Sequence, residues 1–369
     1  MTSQSLVYTP ITLPAGWTGK VLTECHDVTL DGDSPLRPPA IDPWRDWLAV
    51  LVEDSRRLPA CKTLKYSGSV EVLRAQLPAT VGSNENPLLV VCKRTALRGL
   101  VDRALAACRP TRARRNFDRA MQLLNAGIGT ALPLALIERR SSDRSSWLVS
   151  ACLTNVVDLD RVALTLLPRL ERSAARAAKT ATARAVADFF ARLHRAGLHH
   201  RDLKASNILL ADGDGLSDLP GAAEDEINQS RERKRADNQT RATLHTPSPS
   251  QGEGRGEGDR SPSRTATFGV GDRPAPRVYI VDLDGLALRS RWRSDQRWQP
   301  LTRLAASLLA YPSVTSADYA RCLREYLARS GDDPAAWRPH FSRLAASAAD
   351  YARRSRRRKS HKLDGFSAD

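Results

Sequence analysis

Apolar residues recur at helical spacing in three stretches of the chain. Trp44, Trp47, Leu48 and Leu51 fall at i, i+3, i+4 and i+7, as do Val186, Phe189, Phe190 and Leu193. Each set draws one apolar stripe along a helix. Phe117, Met121 and Leu124 draw a third stripe, and Gly127 and Gly197 stand where such helices stop. Elsewhere the pattern changes to short unbroken runs: Leu88-Leu89-Val90-Val91-Cys92, Ile208-Leu209-Leu210 and Val278-Tyr279-Ile280-Val281. Their length and β-branched content predict buried strands. Residues 65–73 read as a hairpin with Gly68 at its tip. The proline-rich residues before Asp42 read as extended chain.

One long segment shows no such pattern. Residues 211–277 are rich in Gly, Pro, Ser and charge, as in Thr246-Pro247-Ser248-Pro249-Ser250-Gln251-Gly252. Too few apolar residues are present to form a core, so a disordered insert at a hairpin tip is expected. Loop-closure cost grows slowly with length, which makes such a tip tolerant. The chain therefore divides into an N-terminal extension at 1–63, with a helix near 42–58, and a sheet-based unit at 64–150. A mainly helical unit follows at 151–350, interrupted at 211–277, then a basic tail at 351–369.

The chemistry concentrates in His200-Arg201-Asp202-Leu203-Lys204-Ala205-Ser206-Asn207, which matches H-R-D-L-K-x-x-N, the catalytic loop of eukaryotic-type kinases. Phosphoryl transfer needs a carboxylate beside the acceptor hydroxyl, a cation against the γ-phosphate, and an oxygen ligand for Mg²⁺. Asp202, Lys204 and Asn207 supply them in that order. An ordinary polar loop would not fix so many residue types. Asp282, at the end of the strand run, sits where the Asp of D-F-G sits, as a second magnesium ligand. Asp284 is either an accessory ligand or a turn former. Lys93 ends an apolar strand, as the lysine of V-A-I-K does, where it would hold the α- and β-phosphates. A basic residue closing a strand is common, and it is the order along the chain that favours the phosphate role. Gly68 would cover the phosphates, although one glycine replaces the usual three. The backbone near Ala151 and Leu153 would meet the adenine. His194 reads as a buried or capping histidine.

The surrounding sequence resembles one family. Arg112-Ala113-Arg114-Arg115-Asn116-Phe117, then Leu123-Leu124-Asn125-Ala126-Gly127-Ile128-Gly129-Thr130, is similar to the arginine-rich helix and turn of the lipopolysaccharide kinase (Kdo/WaaP) family. Residues 297–308 are similar to that family's segment after the magnesium Asp. No A-P-E motif follows, which argues against a peptide acceptor. The resemblance implies an α+β, two-lobed, protein-kinase-like fold, with a small antiparallel-sheet N-lobe and a mainly helical C-lobe. It implies an enzyme using ATP and Mg²⁺ to phosphorylate a Kdo or heptose hydroxyl of the lipopolysaccharide core. The alternatives are a kinase acting on protein Ser/Thr or another small molecule, and a pseudokinase that binds without turnover. One departure bears on the last. Asn116 stands where the family helix carries Glu, so Lys93 either finds another acid or is weakly held. A glutamate restored there would be expected to strengthen that hold.

Charge extends the picture. The net charge of +16, concentrated in residues 353–362, suits an anionic partner: a lipopolysaccharide-type glycolipid, with peripheral contact to an anionic membrane face. No aromatic-interleaved basic module points to nucleic acid. Six cysteines without C-x-x-C spacing indicate neither zinc nor a disulfide framework, and fit a reducing cytoplasm. No apolar run reaches the roughly 18 residues of a membrane span, and the first residues lack the form of a signal peptide.

Overall fold

A computed structural model describes residues 5–26, 29–30, 34–35, 37–77, 87–97, 109–139, 144–211, 276–288 and 297–364. The expected insert lies almost wholly outside the described residues. The first part of the chain builds a seven-stranded antiparallel sheet. Its strands are β1 (Leu6–Leu13), β2 (Trp17–Cys25), β3 (Lys62–Ser67), β4 (Val70–Leu77), β5 (Leu88–Thr95), β7 (Pro133–Arg139) and β8 (Ser146–Ala151). They run in the order β1-β2-β7-β8-β5-β4-β3. The short β6 (Gly129–Thr130) belongs elsewhere.

The sheet is larger than the apolar runs suggested. Residues 6–25, without a long apolar run, pair as β1 and β2, and β2 runs antiparallel to β7. Trp17, Val21 and Leu22 are buried while Glu24 stays exposed, and because the adjacent Val21 and Leu22 point to opposite faces, β2 is covered on both sides there. At Gly19 a Cβ would stand 2.0 Å from the Leu136 carbonyl oxygen, so only glycine allows this approach of β2 to β7.

Helix α1 (Ile41–Asp54) closes one face of the sheet. Its four predicted stripe residues are all buried, with Trp44 and Trp47 bonding through their indole N–H groups to the Leu22 and Gln76 carbonyls at 3.0 and 2.8 Å. Buried indoles with satisfied N–H groups are core. Helix α2 (Arg112–Asn125) lies on the other face, where Ala113 and Phe117 pack on Leu136 and Leu148. Its buried stripe is Ala113, Asn116, Phe117, Ala120 and Leu123. This is rotated from the expected Phe117–Met121–Leu124 line. A buried amide and two alanines do not register in an apolar count.

The second part is mainly helical. Helix α3 (Arg172–Arg195) buries Val186, Phe189, Phe190 and Leu193 as its spacing predicts, and Gly197 at φ 69° ends it. Helices α4 (Trp298–Leu308), α5 (Ser316–Ser330) and α6 (Trp337–Asp364) follow, and the basic run expected as a tail continues α6. Small sheets lie beneath: β9 (Val156–Asp158), β11 (Ile208–Ala211), β12 (Arg277–Ile280) and β6 in one, β10 (Leu198–His200) with β13 (Leu286–Leu288) in another. β11 and β12 are antiparallel, with Ala211 opposite Arg277. The antiparallel sheet of the first part and the mainly helical second part make the α+β arrangement read from the sequence.

Candidate active site

β5 and α2 converge on two carboxylates in the turn after β12. β5 presents Lys93 on the face opposite the buried Val90 and Cys92, because strand side chains alternate. Lys93 Nζ donates to Asp282 Oδ1 at 3.0 Å and to Asp284 Oδ2 at 3.2 Å. From α2, Asn116 Nδ2 donates to Asp284 Oδ1 at 2.8 Å, and Arg112 Nε lies 3.7 Å from the same oxygen. Asp284, read as a turn former or accessory ligand, is thus the residue that joins Lys93 to α2. The acid missing from α2 is supplied from the turn after β12. Burial pushes the Asp284 carboxyl up, but Lys93, Asn116 and Arg112 outweigh it and hold the group below the usual carboxylate range.

Arg119 completes this cluster. One guanidinium nitrogen donates to Asn116 Oδ1, to the Leu283 carbonyl and to the Asp284 carbonyl at 3.3, 3.0 and 3.1 Å. One turn of α2 therefore grips the backbone of the Asp282–Gly285 turn. Asp282 itself adopts a left-handed conformation, φ 60° and ψ 64°. Asp tolerates that region better than most residues.

Residues 200–207 are locked to the same turn. Val281 N–H donates to the Asn207 carbonyl at 3.0 Å, and Asn207 Nδ2 to the Asp202 carbonyl at 3.1 Å. His200 bridges the two segments from a fully buried position. Its Nδ1 accepts from the Asp202 N–H at 3.3 Å, so Nε2 is the protonated nitrogen, donating to the Asp282 carbonyl at 3.1 Å. Burial lowers its pKa, with Asp282 opposing, which suits the neutral ring this geometry requires. At Gly285 a Cβ would stand 3.0 Å from the His200 ring and 3.1 Å from the Asp202 nitrogen, so glycine lets the turn and the loop touch. Ser307 on α4 accepts from the Ala205 N–H at 2.9 Å, fixing the loop from below.

Among the predicted residues, Lys93 and Asp282 touch, and Asn207 is bonded to both Asp202 and the strand before Asp282. The Asp202 side chain is 63% exposed, with Arg303 Nη1 4.0 Å from its carboxylate. Lys204 is exposed. Gly68 lies in the turn between β3 and β4. The Ala151 N–H is committed to the Leu132 carbonyl at 2.9 Å. The Leu153 N–H makes no backbone hydrogen bond among the described residues. Of the two backbone positions expected to meet adenine, only Leu153 has an N–H to offer. His194 donates to or accepts from Tyr326 Oη through Nδ1 at 2.8 Å, away from these groups.

Asp282, Asp284 and the Asn207 amide each carry oxygens of the hard type that Mg²⁺ takes. The Lys93 ammonium bridging both carboxylates shows that the space between them accommodates positive charge. Among the described residues no group of three or more His, Cys, Asp or Glu is arranged as a metal site, so a cation here needs ligands beyond the carboxylates. No helix of the described residues is long and apolar enough to cross a membrane.

Residues 98–238 match the model of the lipopolysaccharide kinase (Kdo/WaaP) family, a family of kinases. Among solved structures the chain is similar to one described as WaaP in complex with acyl carrier protein, at 19% identity, with 79% of this chain and 88% of that chain covered and a TM-score of 0.47. No curated protein matches the chain.

Proposed function

We propose that this chain, a kinase whose residues 98–238 carry the sequence of the lipopolysaccharide kinase (Kdo/WaaP) family, transfers the γ-phosphoryl group of ATP to a Kdo or heptose hydroxyl of the lipopolysaccharide core. The observation behind this reading is the bridge from Lys93 to Asp282 and Asp284, set against the loop that holds Asp202 and Asn207. Asp202 accepts the proton of the acceptor hydroxyl as its oxygen bonds to the γ-phosphorus and the bond to the bridging oxygen breaks, releasing ADP. The exposure of its carboxylate leaves room for that acceptor. Lys93 holds the α- and β-phosphates, and Lys204 balances charge developing on the γ-phosphoryl oxygens. Asp282 and Asn207 would hold Mg²⁺, which would neutralise phosphate charge when bound. Leu153 meets the adenine through its free N–H. Gly68 gives the turn above the phosphates its backbone amides. Arg119 and His200 act by positioning the Asp282–Gly285 turn and the loop. The acceptor is reached from the cytoplasmic face of the membrane, where the basic C-terminal helix would meet anionic headgroups.

The pseudokinase reading rested on Asn116, and Asp284 now supplies the missing carboxylate. Incubation with γ-labelled ATP, Mg²⁺ and purified lipopolysaccharide tests the proposal against a generic protein substrate. Label on the core sugar supports it. Label on protein alone makes the chain a protein kinase, and absence of both hydrolysis and transfer makes it a binding module.

A further inference from the structure

We propose that the groove between α4 and α6 is the subsite for an acidic sugar of the acceptor, one bearing a carboxylate or a phosphate. This rests on the kinase reading above and deepens it. The groove measures about 580 Å³, within the range of small-ligand sites of roughly 300–1,000 Å³. It has room for a sugar unit or two, not for a flat membrane surface or an extended polymer.

Its lining is cationic. Arg303, Arg343 and Arg354 stand against a single acid, Asp350, which lies 3.7 Å from the Arg354 guanidinium. Arg343 has no ion-pair partner among the described residues, and both it and Arg354 are exposed. Guanidinium groups match carboxylate and phosphate in a paired, planar geometry. Gln299, Thr302, Ser347 and Ser355 add neutral donors and acceptors suited to sugar hydroxyls.

Position makes the connection to chemistry. Arg303 belongs both to the groove and to the reaction centre: Nη1 is 4.0 Å from Asp202 Oδ1, and the guanidinium lies 5.2 Å from the Tyr351 ring centroid. Arg303 therefore links the groove to the reaction centre, so a sugar held in the groove by the α6 arginines would lie against the residue that flanks Asp202. The wall is ordered in advance. His340 stacks on Trp298 at 4.8 Å, and the Arg297 guanidinium lies 4.6 Å from the same ring. A prepared wall reduces the entropy lost on binding.

The test uses the full chain and the double variant Arg343→Ala/Arg354→Ala, with melting temperature as the control for folding. The probes are delipidated lipopolysaccharide core oligosaccharide, the same oligosaccharide dephosphorylated and carboxyl-reduced, and phosphatidylglycerol vesicles. Binding is followed by calorimetry without ATP. The native chain is expected to bind the anionic oligosaccharide about tenfold or more tightly than the double variant, and to lose that preference for the uncharged one. In turnover, the acceptor KM rises in the variant while the ATP KM does not. Equal binding by variant and native chain, equal binding of charged and uncharged oligosaccharide, or no binding by the native chain overturns the subsite. So does a variant that loses only vesicle binding, which would make this face a membrane contact. Oligosaccharide binding without any phosphoryl transfer would leave the subsite standing and remove the kinase reading. Transfer with an unchanged acceptor KM in the variant would do the reverse.

Discussion

Asn116 and Asp284 are joined by a 2.8 Å hydrogen bond that ties α2 to the turn after β12. The pair reverses an expectation drawn from the sequence. A glutamate at 116 would not reach for Lys93 in open space. It would face the Asp284 carboxylate at a site where Asn116 is 3% exposed. Asn116→Glu is therefore expected to cost roughly 1–3 kcal/mol, through the lost hydrogen bond and the like charges. A thermal melt and the ATP KM check this: the melting temperature falls and the KM rises. A variant as stable as the native chain would mean that the amide does not hold the turn.

Asp202→Asn separates chemistry from binding. The amide cannot take the acceptor proton, so transfer should fall by about 10²-fold or more. Nucleotide affinity should stay near native, because Asp202 is placed for the acceptor. Near-native turnover would remove it from the reaction.

Asp282 and Asp284 share Lys93 but should fail differently. Asp284 also holds Asn116 and Arg112, so Asp284→Ala should lower the melting temperature more. Asp282 is 47% exposed at its side chain, and Asp282→Ala should chiefly abolish the Mg²⁺ dependence of nucleotide binding. Calorimetry with and without Mg²⁺, beside the two melts, reads the difference. Identical profiles would mean that the two acids act as one unit.

Ala211 pairs with Arg277 at the open end of β11 and β12. A turn of a few residues can therefore replace residues 214–272 without disturbing either strand. The shortened chain should melt within a few degrees of the native one and keep its activity. A large fall in melting temperature would show that the segment contributes to folding.

Acid should weaken the helical part of the fold through His194. Burial, with His199 and Arg297 nearby, brings its pKa down to about 4. The unfolded chain takes up that proton near 6.5, its ordinary value. The contribution is complete above that pH, then declines as pH falls from about 6.5 toward 4, by about 3 kcal/mol at most. His194→Gln should flatten the pH dependence of unfolding over this window. An unchanged slope in urea melts would clear His194.

The loop at 200–207 and the strand ending in Asp282 were legible in the sequence because each needs specific residue types at short spacing. Helices α1 and α3 were legible because their buried faces are apolar. What escaped has a common cause. Asn116 and Arg119 are polar groups on one helix turn whose meaning lies in Asp284, more than 160 residues away, and no local pattern records such a partnership. His200 was visible inside the motif, but its bridging role depends on Gly285 and the Asp282 carbonyl. β1 and β2 escaped because pairing, of β1 with β2 and of β2 with β7, fixes them rather than a strong local signal.

That pairing has a consequence for handling the protein. β2 lies between β1 and β7 and contributes Trp17, Val21 and Leu22 to the core. Trimming the chain to begin at the helix near residue 41 would strip the outer strands from β7. Its backbone N–H and C=O groups, now satisfied along Trp17–Val21, would become a bare edge beside exposed apolar side chains. Such an edge recruits strands from other molecules. A shortened version would then be lost to intermolecular sheet formation even with every residue of the active site intact.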